Sequence, residues 1–175
     1  MKVEVTRIKQ HTIVHNNVGA EKGQIEGAII KQLVSWPDDR GFFSEVFQTG
    51  EDVVADFEIK QSSITMTRPE TIKAFHWHYE QDDIFVPLRG AVRISLVDLR
   101  VGSPTYGFAN SIFCGHLQLK AVRIPKGVAH GYEVLGNDEM TMIYYTNQTY
   151  NPKDEGRISF DDPDLGWTWW GIENR

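Results

Sequence analysis

Short-range alternation of apolar and polar residues dominates this chain, broken repeatedly by glycine, proline, asparagine and aspartate. Across 91–99 the period of two is plain: Val92, Ile94 and Leu96 fall on one face, Arg93 and Ser95 on the other. Strands are likewise predicted over 29–34 and 41–47, with Trp36-Pro37-Asp38-Asp39 as the turn between them, and over 61–67, which stops at Arg68-Pro69-Glu70. The runs 71–78, 83–88, 117–124, 130–134 and 139–146 continue the series. Residues 102–107 read as a loop, and Gly136-Asn137-Asp138 joins the last two runs. The only helix predicted is a turn or two near 51–57. Many short strands between turn residues point to an all-β sandwich or closed barrel.

One stretch carries chemistry. In His76-Trp77-His78 the two imidazoles occupy alternate strand positions and so point the same way. The run beginning at Asp83 ends in Arg89-Gly90; read as a hairpin, it returns Asp83 to the side of both histidines. Pro125-Lys126-Gly127-Val128-Ala129-His130 offers a third imidazole after a tight turn. This order, His-x-His, an acid, a glycine and then Pro-x-Gly-x-x-His, resembles the two-motif pattern of the cupin superfamily. The resemblance implies a jelly-roll β-barrel with its site inside. Asp83 stands where glutamate is commoner in that pattern, and Val134 where asparagine is.

At 175 residues the chain is expected to form a single cupin-type domain, residues 1–175, with a short C-terminal extension. The extension, 161–175, holds three of the five tryptophans and is too apolar to hang free, so it should pack on the barrel or on a partner. The single cysteine, Cys114, excludes an intramolecular disulfide and fits a reducing cytoplasm. The opening residues lack the apolar core of a secretory leader, and no run approaches the ~18 apolar residues of a membrane span, so neither secretion nor a membrane partner is expected. A formal net charge of −6 argues against a nucleic-acid surface, which needs clustered cations. A small anionic ligand needs only local cations, and Arg40, Lys73, Arg89 and Lys126 lie near the motifs.

Four further blocks occur in a family's order. They are Asp39-Arg40-Gly41-Phe42-Phe43-Ser44-Glu45, the run from Val97-Asp98-Leu99-Arg100 through 102–107, Ile124-Pro125-Lys126-Gly127 through His130-Gly131-Tyr132, and Asp161-Asp162-Pro163-Asp164-Leu165 before Trp169. Together they resemble the dTDP-4-dehydrorhamnose 3,5-epimerase family of cupin-fold sugar-nucleotide enzymes. The resemblance implies proton abstraction beside the keto group of a nucleotide-linked, dTDP-type 4-keto-6-deoxy sugar. It implies His76 as base, Asp162 as the carboxylate that orients it, and Tyr144 as the acid on the opposite side of the ring, with Tyr145 an alternative on sequence alone. A 4-keto group acidifies the protons at C3 and C5, so a neutral imidazole can remove one and a phenol can return one. Arg40, Glu45, Gln61, Ser63, Lys73 and His130 match substrate-binding positions, with Arg40 reaching the diphosphate of a neighbouring subunit. The family also implies a homodimer that exchanges N-terminal strands, here the segment 1–27.

Departures from the family pattern open competing readings. Lys73 replaces an arginine and loses its bidentate fork; Ser63 replaces an asparagine and His78 a glutamine. Asp83 occupies the place of a lysine that would stabilise the enolate, an electrostatic effect worth roughly 3 kcal/mol. The favoured reading uses no cofactor or metal. The second is a metal-dependent cupin, with His76, His78, Asp83 and His130 holding a divalent ion of the Fe, Mn, Ni or Zn class. The third is a non-catalytic sugar-nucleotide binding protein.

Overall fold

The computed structural model describes residues 2–6, 14–17 and 24–165. Thirteen strands lie within them: β1 (Val14–Asn17), β2 (Ile29–Gln32), β3 (Ser35–Asp38), β4 (Gly41–Ser44), β5 (Gln61–Thr67), β6 (Ile72–His78), β7 (Asp83–Arg89), β8 (Ala91–Asp98), β9 (Phe108–Gly115), β10 (Lys120–Ile124), β11 (Val128–Leu135), β12 (Met140–Thr146) and β13 (Glu155–Arg157). They form a six-stranded sheet in the order β1-β9-β8-β11-β6-β13 and a five-stranded sheet in the order β2-β10-β7-β12-β5, while β3 and β4 make a separate hairpin. Every pairing is antiparallel except β1 with β9. This is the jelly-roll arrangement the sequence implied.

The two sheets close on a common core, in which Ile94, Leu96 and Val134 of one meet Phe85, Val122 and Met142 of the other. Both outer faces are covered as well. Phe75, Val97 and Ala129 of the six-stranded sheet pack with Leu99, Ile158 and Leu165, so the start of the C-terminal extension lies on the barrel; residues 166–175 fall outside the described part. Ile84, Val86 and Ala121 of the five-stranded sheet pack under Val53 and Phe57. Strands buried on both faces lose visible alternation: Asp83 to Pro87 and Val128 to Val134 are buried without a break. In β8 the predicted faces hold, with Val92, Ile94 and Leu96 inward, but Arg93 and Ser95 are buried too. Arg93 Nη2 pairs with Glu133 Oε2 at 2.7 Å across the β8–β11 ladder.

Several expectations are corrected. Trp36-Pro37-Asp38 is not a turn but strand β3, and the reversal falls at Asp39-Arg40 before β4. Strand β9 was not anticipated, because Asn110 and Ser111 interrupt its apolar pattern. Asn110 is nonetheless fully buried, its Oδ1 accepting the Ile25 N–H at 3.0 Å. Residues 117–119 precede β10 as a turn region, and the predicted helix is one 3-10 turn, Asp52–Val54. Most importantly, β6 and β7 are not a hairpin. They belong to facing sheets, so Asp83 meets the histidines across the interior. No helix among the described residues is long and apolar enough to cross a membrane.

Candidate active site

Two close approaches set the histidines. Strands β6 and β11 pair with His130 directly opposite His76, followed by a register shift before Tyr132 meets Lys73. Gly131 sits at this bulge, where an added Cβ would lie 2.3 Å from Ala74 Cβ; only glycine lets the strands close so tightly. In the turn before β11, Gly127 has φ +77 and donates its N–H to His78 O at 2.7 Å, tying that turn to the end of β6. Asp82 locks the opposite side: its carboxylate accepts the Lys126 N–H at 3.0 Å and lies 3.3 Å from Arg123 Nη2.

The outcome is a cavity of about 280 Å³ between the sheets, with His76, His78 and Lys73 on one wall and Asp83, Phe85 and Tyr144 on the other. His130 lies behind it, 2 % exposed, its ring centroid 4.1 Å from that of His76. His130 Nε2 stands 3.1 Å from Asp83 Oδ2, and His78 Nε2 stands 3.6 Å from the same oxygen. Asp83 Oδ1 accepts Gln81 Nε2–H at 2.7 Å. Ligand atoms of His76, His78, Asp83 and His130 all lie within 4.8 Å of one another. Desolvation, reinforced by His130, His78 and Arg157, holds His76 well below the ordinary histidine range, so its imidazole is neutral at neutral pH.

Strand parity separates the two tyrosines. Tyr144 faces the cavity with its ring edge-on to Phe85 at 6.0 Å. Tyr145 points the other way, edge-on to Phe47 at 5.3 Å, and burial pushes its phenol up. Gln61 also lines the cavity, its Nε2 donating to Ser63 Oγ at 3.2 Å, so Ser63 stands one step behind. Lys73 lies 3.4 Å from Thr65 Oγ1 and over the Tyr132 ring. Of the four cations near the motifs, only Lys73 lines the cavity.

Three predicted site residues stand elsewhere within the chain. Arg40 occupies the tip of the β3–β4 hairpin, paired with Asp38 at 2.5 Å, and Glu45 follows that hairpin, accepting from Gln48 Nε2 at 2.7 Å. Asp162 Oδ1 accepts the Asp164 N–H at 2.9 Å, next to the 3-10 turn Pro163–Leu165. Conversely, Glu155, Gln81, Tyr132 and Tyr150 line the cavity without having been anticipated. Glu155 sits on the three-residue strand β13 opposite His78, a strand too short to give a pattern. Cys114 is buried, which pushes its thiol up to about 12 and leaves it a packing residue.

The chain's similarities point one way. Residues 22–175 match the family model for dTDP-4-dehydrorhamnose 3,5-epimerase. The spore coat polysaccharide biosynthesis protein SpsL of Bacillus subtilis is 42% identical over 147 residues, covering 83% of this chain and 96% of that protein. A dTDP-4-dehydrorhamnose 3,5-epimerase of Methanothermobacter thermautotrophicus is 30% identical, covering 85% of this chain and 82% of its own. Among solved structures, NovW, a 4-keto-6-deoxy sugar epimerase from Streptomyces spheroides, superposes with a TM-score of 0.77 at 28% identity, over 83% of this chain and 75% of that one. The Legionella pneumophila enzyme RmlC, solved with dTDP-4-keto-L-rhamnose, gives a TM-score of 0.76 at 26% identity over 95% and 84% of the two chains.

Proposed function

Because this chain belongs to the dTDP-4-dehydrorhamnose 3,5-epimerase family, we propose that it is an epimerase or isomerase acting on a dTDP-linked 4-keto-6-deoxy sugar by removing a proton beside the keto group. The observation that carries this reading is the placement of His76 and Tyr144 on opposite walls of one cavity. A sugar ring held between them offers one face to a neutral imidazole and the other to a phenol, the arrangement needed to take a proton from one side and return it from the other. Asp162 serves as the orienting carboxylate of His76, and Lys73 and Gln61 hold the nucleotide sugar. His130 and Ser63 support that pocket from behind.

The working unit in this reading is a homodimer in the cytoplasm. Supporting it, the β3–β4 arm carries Trp36, Phe42 and Phe43 at 65%, 55% and 66% exposure, and edge strand β5 presents Ile64 and Met66. Apolar side chains of this size on an arm without a core call for a second surface. An arm docked on a partner subunit carries Arg40 and Glu45 toward that subunit's cavity. Of the N-terminal segment 1–27, much lies outside the described residues. Its described parts pair in cis, Val5 with Arg100 and β1 with β9.

The test is transfer of solvent deuterium to C3 or C5 of the sugar. The wild type exchanges, and His76→Asn keeps nucleotide affinity while exchange falls to background. Full exchange in His76→Asn overturns the assignment. Binding of a dTDP-sugar by calorimetry without exchange in any form identifies a binding protein instead.

A further inference from the structure

Hydrogen-bond directions around Asp83 leave two imidazole Nε2 atoms beside one carboxylate. His130 Nδ1 lies 2.9 Å from Val128 O and His78 Nδ1 lies 3.2 Å from Asp154 O. A carbonyl oxygen only accepts, so both Nδ1 atoms carry hydrogen, and Nε2 is the ring nitrogen left to face the cavity. Both Nε2 atoms lie near one carboxylate oxygen, Asp83 Oδ2, at 3.1 Å from His130 and 3.6 Å from His78. His130 Nε2 is completely buried and has no hydrogen-bond partner despite that 3.1 Å contact. Two imidazole nitrogens and a carboxylate thus converge in a place that is 2 % exposed at both His130 and Asp83.

We propose that Nε2 of His78, Nε2 of His130 and the carboxylate of Asp83 form a binding site for a divalent first-row transition-metal ion. A single ion satisfies all three donors together. The 4.8 Å spread of donor atoms is comparable with the ~4.2 Å between opposite ligands at the usual ~2.1 Å bond length. Each donor is held from behind, as metal ligands characteristically are: His130 by the Val128 carbonyl, His78 by the Asp154 carbonyl and Asp83 by the Gln81 amide. Two imidazoles and one carboxylate favour Fe, Co, Ni, Zn or Mn over Mg or Ca. Among the described residues no carbonyl backs His76 in this way, and its imidazole stays available as the base.

The catalytic consequence rests on the epimerase reading, whereas binding does not. A carboxylate in a cavity where negative charge builds on a sugar oxygen opposes the reaction. A divalent ion on the same carboxylate reverses the local sign and stabilises that charge. When His76 takes the proton from carbon, the C–H electron pair moves toward the carbonyl oxygen, so atoms and charge balance with no oxidant or reductant.

Binding is tested without sugar. Protein made without a histidine tag is stripped with EDTA, dialysed, and titrated with Co²⁺ by calorimetry and visible absorption. We expect one ion per chain with imidazole-type d–d bands. Asp83→Asn and His130→Gln should each weaken binding about 100-fold or more, and His76→Asn should change it only a few-fold. Absence of saturable Co²⁺ binding, or equal affinity in Asp83→Asn, overturns the site; loss of binding in His76→Asn overturns the three-donor assignment. Should the variants fail to fold, histidine ring ¹⁵N spectra of the wild type titrated with Zn²⁺ decide: the Nε2 signals of His78 and His130 shift with Nδ1–H retained, and unshifted signals overturn the site. Deuterium exchange on stripped and Co²⁺-loaded protein separates the two proposals. Full exchange without metal overturns the ion's catalytic role but not the epimerase reading. Stoichiometric binding with no exchange in either form supports the site and overturns that reading.

Discussion

The cavity between the sheets and the β3–β4 arm both carry residues implied to bind substrate, and they are built in opposite ways. In the cavity the three groups that meet at Asp83 are fixed from behind by their own chain: His130 by Val128 O, His78 by Asp154 O and Asp83 by Gln81. Among the described residues the arm has no such backing. Its three large aromatics are more than half exposed, and Arg40 makes its ion pair with Asp38 two residues away. A site that must hold geometry to fractions of an ångström belongs where the fold has already fixed its side chains. A charge that steers a flexible diphosphate tolerates delivery on an arm whose order comes from docking.

The largest effect should therefore come from the cavity. His76→Asn is expected to lower deuterium exchange by about 10³-fold, in the middle of what a general base contributes, with dTDP affinity within about twofold. Comparable losses in binding and exchange would mean the ring grips substrate rather than moving protons. The arm comes next. Trp36→Ala combined with Phe43→Ser should halve the mass measured by light scattering and lower kcat/KM roughly 10- to 100-fold, about 1.4 to 2.8 kcal/mol. A dimer that survives both changes, or a wild type that is already monomeric, breaks the contrast. Arg40→Ala should then fall mainly on KM, by about tenfold, because a phosphate-directed cation holds ground state and transition state alike. If Arg40→Ala acts on kcat alone, the arm takes part in chemistry and the distinction between the two regions blurs.

Asp98 supplies a control remote from both chemistries. Burial by itself would raise its carboxyl, but hydrogen bonds from Arg100, Ser103 and Thr105 outweigh this and hold it below the usual carboxylate range. A depressed carboxyl stabilises the fold above its unfolded pKa of about 3.9, and that stability is lost as pH falls through the lower folded value. Asp98→Asn should lower unfolding free energy by about 2 kcal/mol at pH 7 and flatten the acid side of the stability profile. It should leave exchange per folded molecule unchanged. A wild-type-like acid profile would show that the network adds no stability.

Sequence alone determined what depends on strand parity and on short-range turn chemistry. His76 and His78 had to share a face, Tyr144 and Tyr145 had to oppose one another, and Val92, Ile94 and Leu96 had to point inward, because successive side chains on a strand alternate. Strand β9 escaped because its inward Asn110 looks polar locally, and only the fold reveals the Ile25 N–H it satisfies. Tertiary structure alone decided which of the two tyrosine faces is the cavity, and it brought Asp83 to the histidines across two sheets rather than around a hairpin. It also chose the histidine tautomers through carbonyls at Val128 and Asp154, the latter 76 residues from His78. Parity is a property of one strand and can be read along the chain. Convergence of ring nitrogens on one oxygen is a property of the space between strands, and no local pattern encodes it.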